Sequence, residues 1–241
     1  MTPKIANWIA GILLGVMFVL MVTSAKGDSA TMDEVAHIPA GYSYLTQKDM
    51  RLNPEHPPLL KDLAAIPLLF QNINFPSDFK AWKDDINGQW DFGFQFLYRS
   101  GNDADNIIFW ARIPFILLTL LLGYFIFKWG KELFGPGPAL LALGLYTFSP
   151  TFLAHGRLVT TDVGASFGFF IRVYYFVKAL RVPSTKHIIT AGIALGIALL
   201  IKFSTFLLVP LLVFLAFLWW WMRRREGLAT SSKRTIGVLL F

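Results

Sequence analysis

IANWIAGILLGVMFVLMVT, residues 5–23, runs for nineteen residues without a charge. A helix that crosses a bilayer needs about 20 predominantly apolar residues. The stretch is too long for an ordinary signal-peptide core, and Ser24-Ala25-Lys26 is a weak cleavage site, so it reads as a retained signal anchor. Five further runs follow: Ile107–Phe127, Pro138–Phe152, Val163–Val177, Ile188–Ile201 and Phe203–Met222. The fifth of the six has 14 residues, so it reaches only about 21 Å and is expected to end within the outer leaflet at Lys202. The fold class expected is an all-α polytopic membrane protein with six crossings.

Composition agrees. The 241 residues are 55% hydrophobic and only 15% charged, against roughly 25% charged in a soluble domain. There is no cysteine, which excludes disulfides and thiolate metal sites. A net charge of +7 would suit nucleic acid, but the positive residues sit in short loops beside apolar runs, the mark of membrane topology. Lys128 and Lys131, then Lys178, Arg181 and Lys186, then Arg223, Arg224 and Arg225 fall on one side together with Lys4. That side is the expected cytoplasm. The loop 25–106 and the link 153–162 then face outward.

The expected organisation is a first transmembrane helix (1–24), an extracytoplasmic loop with amphipathic surface helices (25–106), transmembrane helices 2–6 (107–222), and a basic cytoplasmic segment (223–241). The apolar run 236–241 reads as the start of a seventh span cut short. Of the 15 acidic residues, 12 lie between Asp28 and Asp105. Within that loop Thr31-Met32-Asp33-Glu34 fits a capping box, starting a helix to about Leu45 that Pro39 bends. Pro57-Pro58 suits the start of a second helix through Leu59, Leu60, Leu63 and Ile66. The stretch 74–106, rich in Trp, Phe, Asp and Asn, reads as an irregular cap with aromatic anchors at the interface.

Four features carry chemistry: Asp33-Glu34; Asn53-Pro54-Glu55-His56-Pro57-Pro58-Leu59-Leu60-Lys61; His155-Gly156-Arg157 through Asp162; and Lys202. All four fall on the outer side. Acids, histidines and cations gathered at one membrane face can bind a phosphate and a metal while one carboxylate serves as base. Plainer readings stand beside this. Asp33-Glu34 and Asp162 are good helix caps, Arg157 suits lipid headgroups, Lys202 can snorkel, and Lys61 can face solvent. Arg172, ten residues into the fourth run, is a costly charge and a functional candidate by default.

In order and spacing these motifs resemble the N-terminal half of the polytopic GT-C glycosyltransferases, the group of the dolichyl-phosphate-mannose protein mannosyltransferases and the aminoarabinose lipid A transferases. The resemblance implies a GT-C-type bundle and sugar transfer from a polyprenyl-phosphate donor to a protein, lipid or glycan acceptor outside the cytoplasm. It implies Asp33 as the base, with Glu34 supporting it. It implies His56, Lys61, Arg157 and Lys202 near the donor phosphate. A divalent metal would be held by Glu55 and Asp162. Ala36 departs from the group, standing where the aminoarabinose branch has a phosphate-binding arginine, so His37, Arg157 or Lys202 would substitute. The compact loops and the absence of a retention signal favour a bacterial inner membrane, with the endoplasmic reticulum membrane as the alternative. A transporter or flippase of a lipid-linked substrate, and a non-catalytic scaffold, are the competing classes.

Overall fold

Thr2 opens the first helix: its hydroxyl accepts the Ile5 N–H at 3.4 Å, and Pro3, which lacks an N–H to lose, stands in the first turn. The computed structural model describes residues 1–85 and 87–225, and these are helical without a strand. In chain order the helices are α1 (Pro3–Ala25), α2 (Met32–Thr46), α3 (Leu59–Ala65), α4 (Lys80–Lys83), α5 (Gln89–Phe94) and α6 (Ala104–Phe134). They continue with α7 (Pro136–Thr147), α8 (Pro150–His155), α9 (Asp162–Arg181), α10 (Thr185–Ile201) and α11 (Leu208–Arg225). A π-helical turn, Gln95–Arg99, follows α5, and 3-10 turns cover Ile66–Phe70 and Phe203–Leu207. The chain divides into two units, Met1–Gly164 and Ala165–Phe241. The expected seventh span lies outside the described residues.

Four helical stretches are long and apolar enough to cross a membrane: Pro3–Ala25, Ala104–Phe134, Asp162–Arg181 and Phe203–Arg225. Trp8, Ile12, Val19, Phe214 and Phe217 are all exposed, as a lipid-facing surface requires. The expectation of six crossings meets a break at one place. The run 138–152 breaks because Pro150 cannot donate to the preceding turn and disfavours helical backbone at Ser149, which is extended. It leaves α7 with 12 residues, about 18 Å long. The passage is completed in two pieces: Ala139 packs on Gly130 near the Lys131 end of α6, while Arg157, beyond α8, reaches Ser24 at the far end of α1. The short helix expected before Lys202 is α10, whose 17 residues span about 25 Å and end at Ile201.

In the first unit α1 and α6 run antiparallel. Lys131 Nζ donates to Asn7 Oδ1 at 3.0 Å at one end, and Arg112 Nη1 donates to Ala25 O at 3.2 Å at the other. Tyr146 fastens α7 to α6 by donating to Thr119 O at 2.8 Å.

The long insertion between α1 and α6 is a packed subdomain, a correction to the expected surface helices and irregular cap. From Ala36 to Tyr44, α2 is buried throughout. Two glycines allow that. A Cβ on Gly41 would stand 1.9 Å from Lys61 O, and one on Gly93 would stand 1.9 Å from Val35 O. Pro39 has no N–H to return to Val35 O, so α2 leaves free the carbonyl on which Gly93 closes. Phe92 and Phe96 are fully buried among Tyr42, Phe75 and Trp82. These rings form a core, worth roughly 1.5–3 kcal/mol for each buried side chain, where membrane-interface anchors were expected.

In the second unit Phe176, Ala179, Ala191, Leu208, Leu212 and Ala216 make the core. The close approach of Gly168 to Ala198 sets α9 against α10.

Candidate active site

The capping box of α2 forms as the sequence predicts: Glu34 Oε2 accepts from the Thr31 N–H at 2.9 Å and from its hydroxyl at 3.0 Å. The carboxylate then continues inward, where it is fully buried. Arg112 Nε donates to Glu34 Oε1 at 2.8 Å and Arg112 Nη2 to Oε2 at 2.7 Å. The remaining guanidinium protons go to the carbonyls of Ala25, Asp28 and Ser29 at 3.0–3.2 Å. All five donors of Arg112 are thus satisfied, as a buried cation demands. Burial pushes the Glu34 carboxyl up, but the hydrogen bonds and charge of Arg112, with the Thr31 and Val159 N–H groups, leave it below its usual value.

Both Glu34 oxygens are thus taken by protein donors, so the carboxylate ties together Thr31, Arg112 and Val159 rather than standing free. Sequence reasoning missed Arg112. The signal was present, because it is the one charge within the apolar run 107–127, and such a charge needs a partner.

Asp33, beside Glu34, is exposed. One turn along, His37 is buried and its Nδ1 lies 2.8 Å from Val159 O. A carbonyl only accepts, so Nδ1 carries the proton. The Val159 N–H in turn donates to Glu34 Oε1 at 3.0 Å. One residue of the link after α8, Val159, is thus gripped through both its N–H and its carbonyl by the first turns of α2. Burial holds His37 below the ordinary histidine value, despite the Val159 carbonyl and the Asp33 carboxylate, which favour its charged form. The rings of His37 and His56 meet edge-on, centroids 5.8 Å apart.

The loop before α3 is organised around Lys61. Its ammonium is buried and donates to Asn53 O at 2.6 Å, Tyr44 Oη at 2.8 Å, His56 O at 2.8 Å and Asn53 Oδ1 at 3.1 Å. Burial lowers its pKa to about 8. Asn53 has φ of 50°, a left-handed conformation that asparagine tolerates. Lys61, expected at the donor phosphate, is turned instead into the loop, where backbone carbonyls occupy its protons. Glu55 accepts from Gln89 Nε2 at 3.0 Å, Asn87 Nδ2 at 3.2 Å and Asn53 Nδ2 at 3.4 Å. Among the described residues no three His, Asp or Glu side chains gather to hold a metal ion. The set around Glu55, three amide N–H donors, does not fit a resident divalent ion.

Arg157 Nη1 donates to Asp28 Oδ2 at 2.6 Å and to Ser24 O at 2.7 Å, and this hydrogen bond with its charge holds Asp28 below the carboxylate range. The Arg157 Nε proton is buried with no acceptor. Asp162 is exposed at the first position of α9, and Leu60 of α3 packs against Gly164 within the same turn. The first unit therefore brings together Asp33, Glu34, His37, His56, Arg112 and the link 156–161. Lys202 belongs to the second unit, in extended backbone after α10. So does Arg172, buried and donating to Ala191 O at 2.5 Å.

No match was found among curated proteins or among solved structures. One family model does match, over residues 104–241, from the start of α6 onward, so that Arg112, Arg157, Asp162 and Lys202 fall within the matched stretch and Asp33, Glu34, Glu55, His56 and Lys61 precede it. With more than half of its length matched, the chain belongs to the dolichyl-phosphate-mannose-protein mannosyltransferase family of membrane glycosyltransferases.

Proposed function

We propose that this protein transfers a sugar from a polyprenyl-phosphate donor to a hydroxyl-bearing acceptor at the extracytoplasmic rim of the membrane, with Asp33 as the base. The observation that carries this reading is the setting of Asp33. It is the exposed carboxylate of a helix turn whose neighbour, Glu34, is locked by Arg112 and by the Val159 N–H. A base held on such a turn spends little entropy in reaching its reactive geometry.

Asp33 takes the acceptor hydroxyl proton, and the acceptor oxygen bonds to the anomeric carbon. The bond from that carbon to the phosphate oxygen breaks, and its electron pair leaves on the polyprenyl phosphate. A single displacement of this kind inverts the anomeric centre. Arg157, whose buried Nε proton meets no protein acceptor, and His56 are the groups of this unit suited to the departing phosphate. The carrier's tail runs along the exposed apolar helix faces.

The test is transfer from radiolabelled polyprenyl-phosphate mannose by purified full chain in lipid vesicles, comparing wild type with Asp33→Asn. Loss of transfer with unchanged thermal unfolding supports the reading. Equal turnover removes Asp33 as base. Movement of the labelled lipid between leaflets without turnover would favour a transporter.

A further inference from the structure

His37 is the one buried titratable group of the site whose proton position the geometry fixes. Its Nδ1–H is committed to Val159 O at 2.8 Å, so in the neutral ring Nε2 is the bare nitrogen. Asp33 lies four residues earlier on α2, where side chains share a face about 5–6 Å apart at Cβ. The other groups acting on the ring are Lys61 from α3 and His56 from the loop before it, both opposing a charge on His37, while Asp33 favours one. The link after α8 meets it through the Val159 carbonyl.

We infer that His37 is a positioning residue for Asp33, held in the Nδ1–H form so that Nε2 receives the proton that Asp33 has drawn from the acceptor. The inference rests on the reading of Asp33 as base. The steps balance. The acceptor O–H breaks and its proton passes to an Asp33 oxygen, and that O–H then breaks as the Nε2 lone pair takes the proton. The resulting imidazolium lies between the restored Asp33 carboxylate and the Val159 carbonyl until Nε2 releases its proton to water. Asp33 is thereby ready for the next acceptor without waiting on a proton exchange of its own. The neutral resting state that burial imposes on His37 suits a proton acceptor.

The experiment uses the full chain in nanodiscs with 15N-labelled histidine. There are four histidines, and the His37 signals are assigned as those missing from His37→Asn, a variant whose amide can still donate to Val159 O. The expected result is a pyridine-type signal at Nε2 near neutral pH, and a His37 pKa that falls further in Asp33→Asn. An Nε2–H tautomer, or a titration unmoved by Asp33→Asn, overturns the inference, and neither measurement needs a substrate. With polyprenyl-phosphate mannose as probe, His37→Asn should lose about tenfold or more in kcat at unchanged donor KM, and the acid limb contributed by His37 should vanish from its pH profile. A His37→Asn enzyme with wild-type kcat and the same acid limb overturns the inference while leaving the base assignment intact. Full activity in Asp33→Asn would remove the base assignment and the inference with it.

Discussion

Arg112 meets both oxygens of Glu34, at 2.8 and 2.7 Å, across 78 residues of chain, with neither side chain exposed. Losing one partner of such a pair strands a buried charge and costs about 3–5 kcal/mol. Arg112→Met should lower the unfolding midpoint sharply and abolish transfer. The double variant Arg112→Met with Glu34→Met should recover much of the stability, because no charge is then left unpaired, while transfer stays absent. A thermal-unfolding double-mutant cycle in detergent reads the coupling. Additive losses would show that the two residues act independently.

The same cluster sets an acid limit. The folded-state pKa of Glu34 lies below the ordinary carboxyl value of 4.5, so its contribution is present above that pH and is lost as pH falls through the folded value. His37 lies below 6.5 when folded. Below 6.5 the unfolded chain therefore binds more protons, and stability declines with falling pH until the folded ring also titrates. Lys61 adds the opposite edge. Held near pH 8 against an ordinary lysine value of 10.5, it costs stability fully below about 8, and that cost is relieved as pH rises toward 10.5. The unfolding midpoint should thus fall between pH 6.5 and 4, and His37→Asn should flatten the upper part of that fall. A midpoint independent of pH over this range would contradict the buried neutral His37.

Much of this architecture is legible in the residues. The apolar runs give α1, α9 and the stretch Phe203–Arg225 closely, stop short of the end of α6 and miss the break at Pro150, and Thr31 with Glu34 gives the start of α2. The paired prolines at 57 and 58 give the start of α3. What is not legible depends on contacts distant in sequence. The capping-box carboxylate of Glu34 has a second role only because Arg112 arrives beside it, and Lys61 looks like a solvent-facing or phosphate-binding cation until Asn53 and His56 are seen folded over it. Val159 could not be found from its side chain at all, since its backbone makes both contacts. The aromatics at 75–96 satisfy two patterns, interfacial anchor and core, and only the glycine crossings at 41 and 93 decide for the core.

Those crossings are themselves testable. In Gly41→Ala the new methyl would meet Lys61 O at 1.9 Å, backbone against backbone, with nothing flexible to yield. A loss of about 3 kcal/mol or more is expected, with the loop becoming sensitive to protease. Gly144→Ala is the control. It lies within α7 with nothing within 4 Å of its added Cβ, so it should be neutral or stabilise by about 0.5–1 kcal/mol. Equal effects at the two positions would show that α2 and α3 do not cross as described.

Lys61 and Arg157 are both cations near the site, but their surroundings predict different kinetics. The Lys61 protons are all directed at Tyr44, Asn53 and the His56 carbonyl, so Lys61→Met removes the fastening of the loop. It should lower stability and kcat together while donor KM stays near wild type. Arg157 keeps an unclaimed Nε proton and shares Nη1 with the half-exposed Asp28. Arg157→Gln should leave stability nearly unchanged and raise donor KM by roughly tenfold or more, the worth of one hydrogen bond to a charged group at about 1.5 kcal/mol or above. Steady-state kinetics with polyprenyl-phosphate mannose, set beside unfolding curves for both variants, separates the two. If Lys61→Met raised KM with stability intact, Lys61 would return to the phosphate and the loop would need another fastener. If Arg157→Gln left KM unchanged, the phosphate would have to be met by cations from elsewhere in the chain.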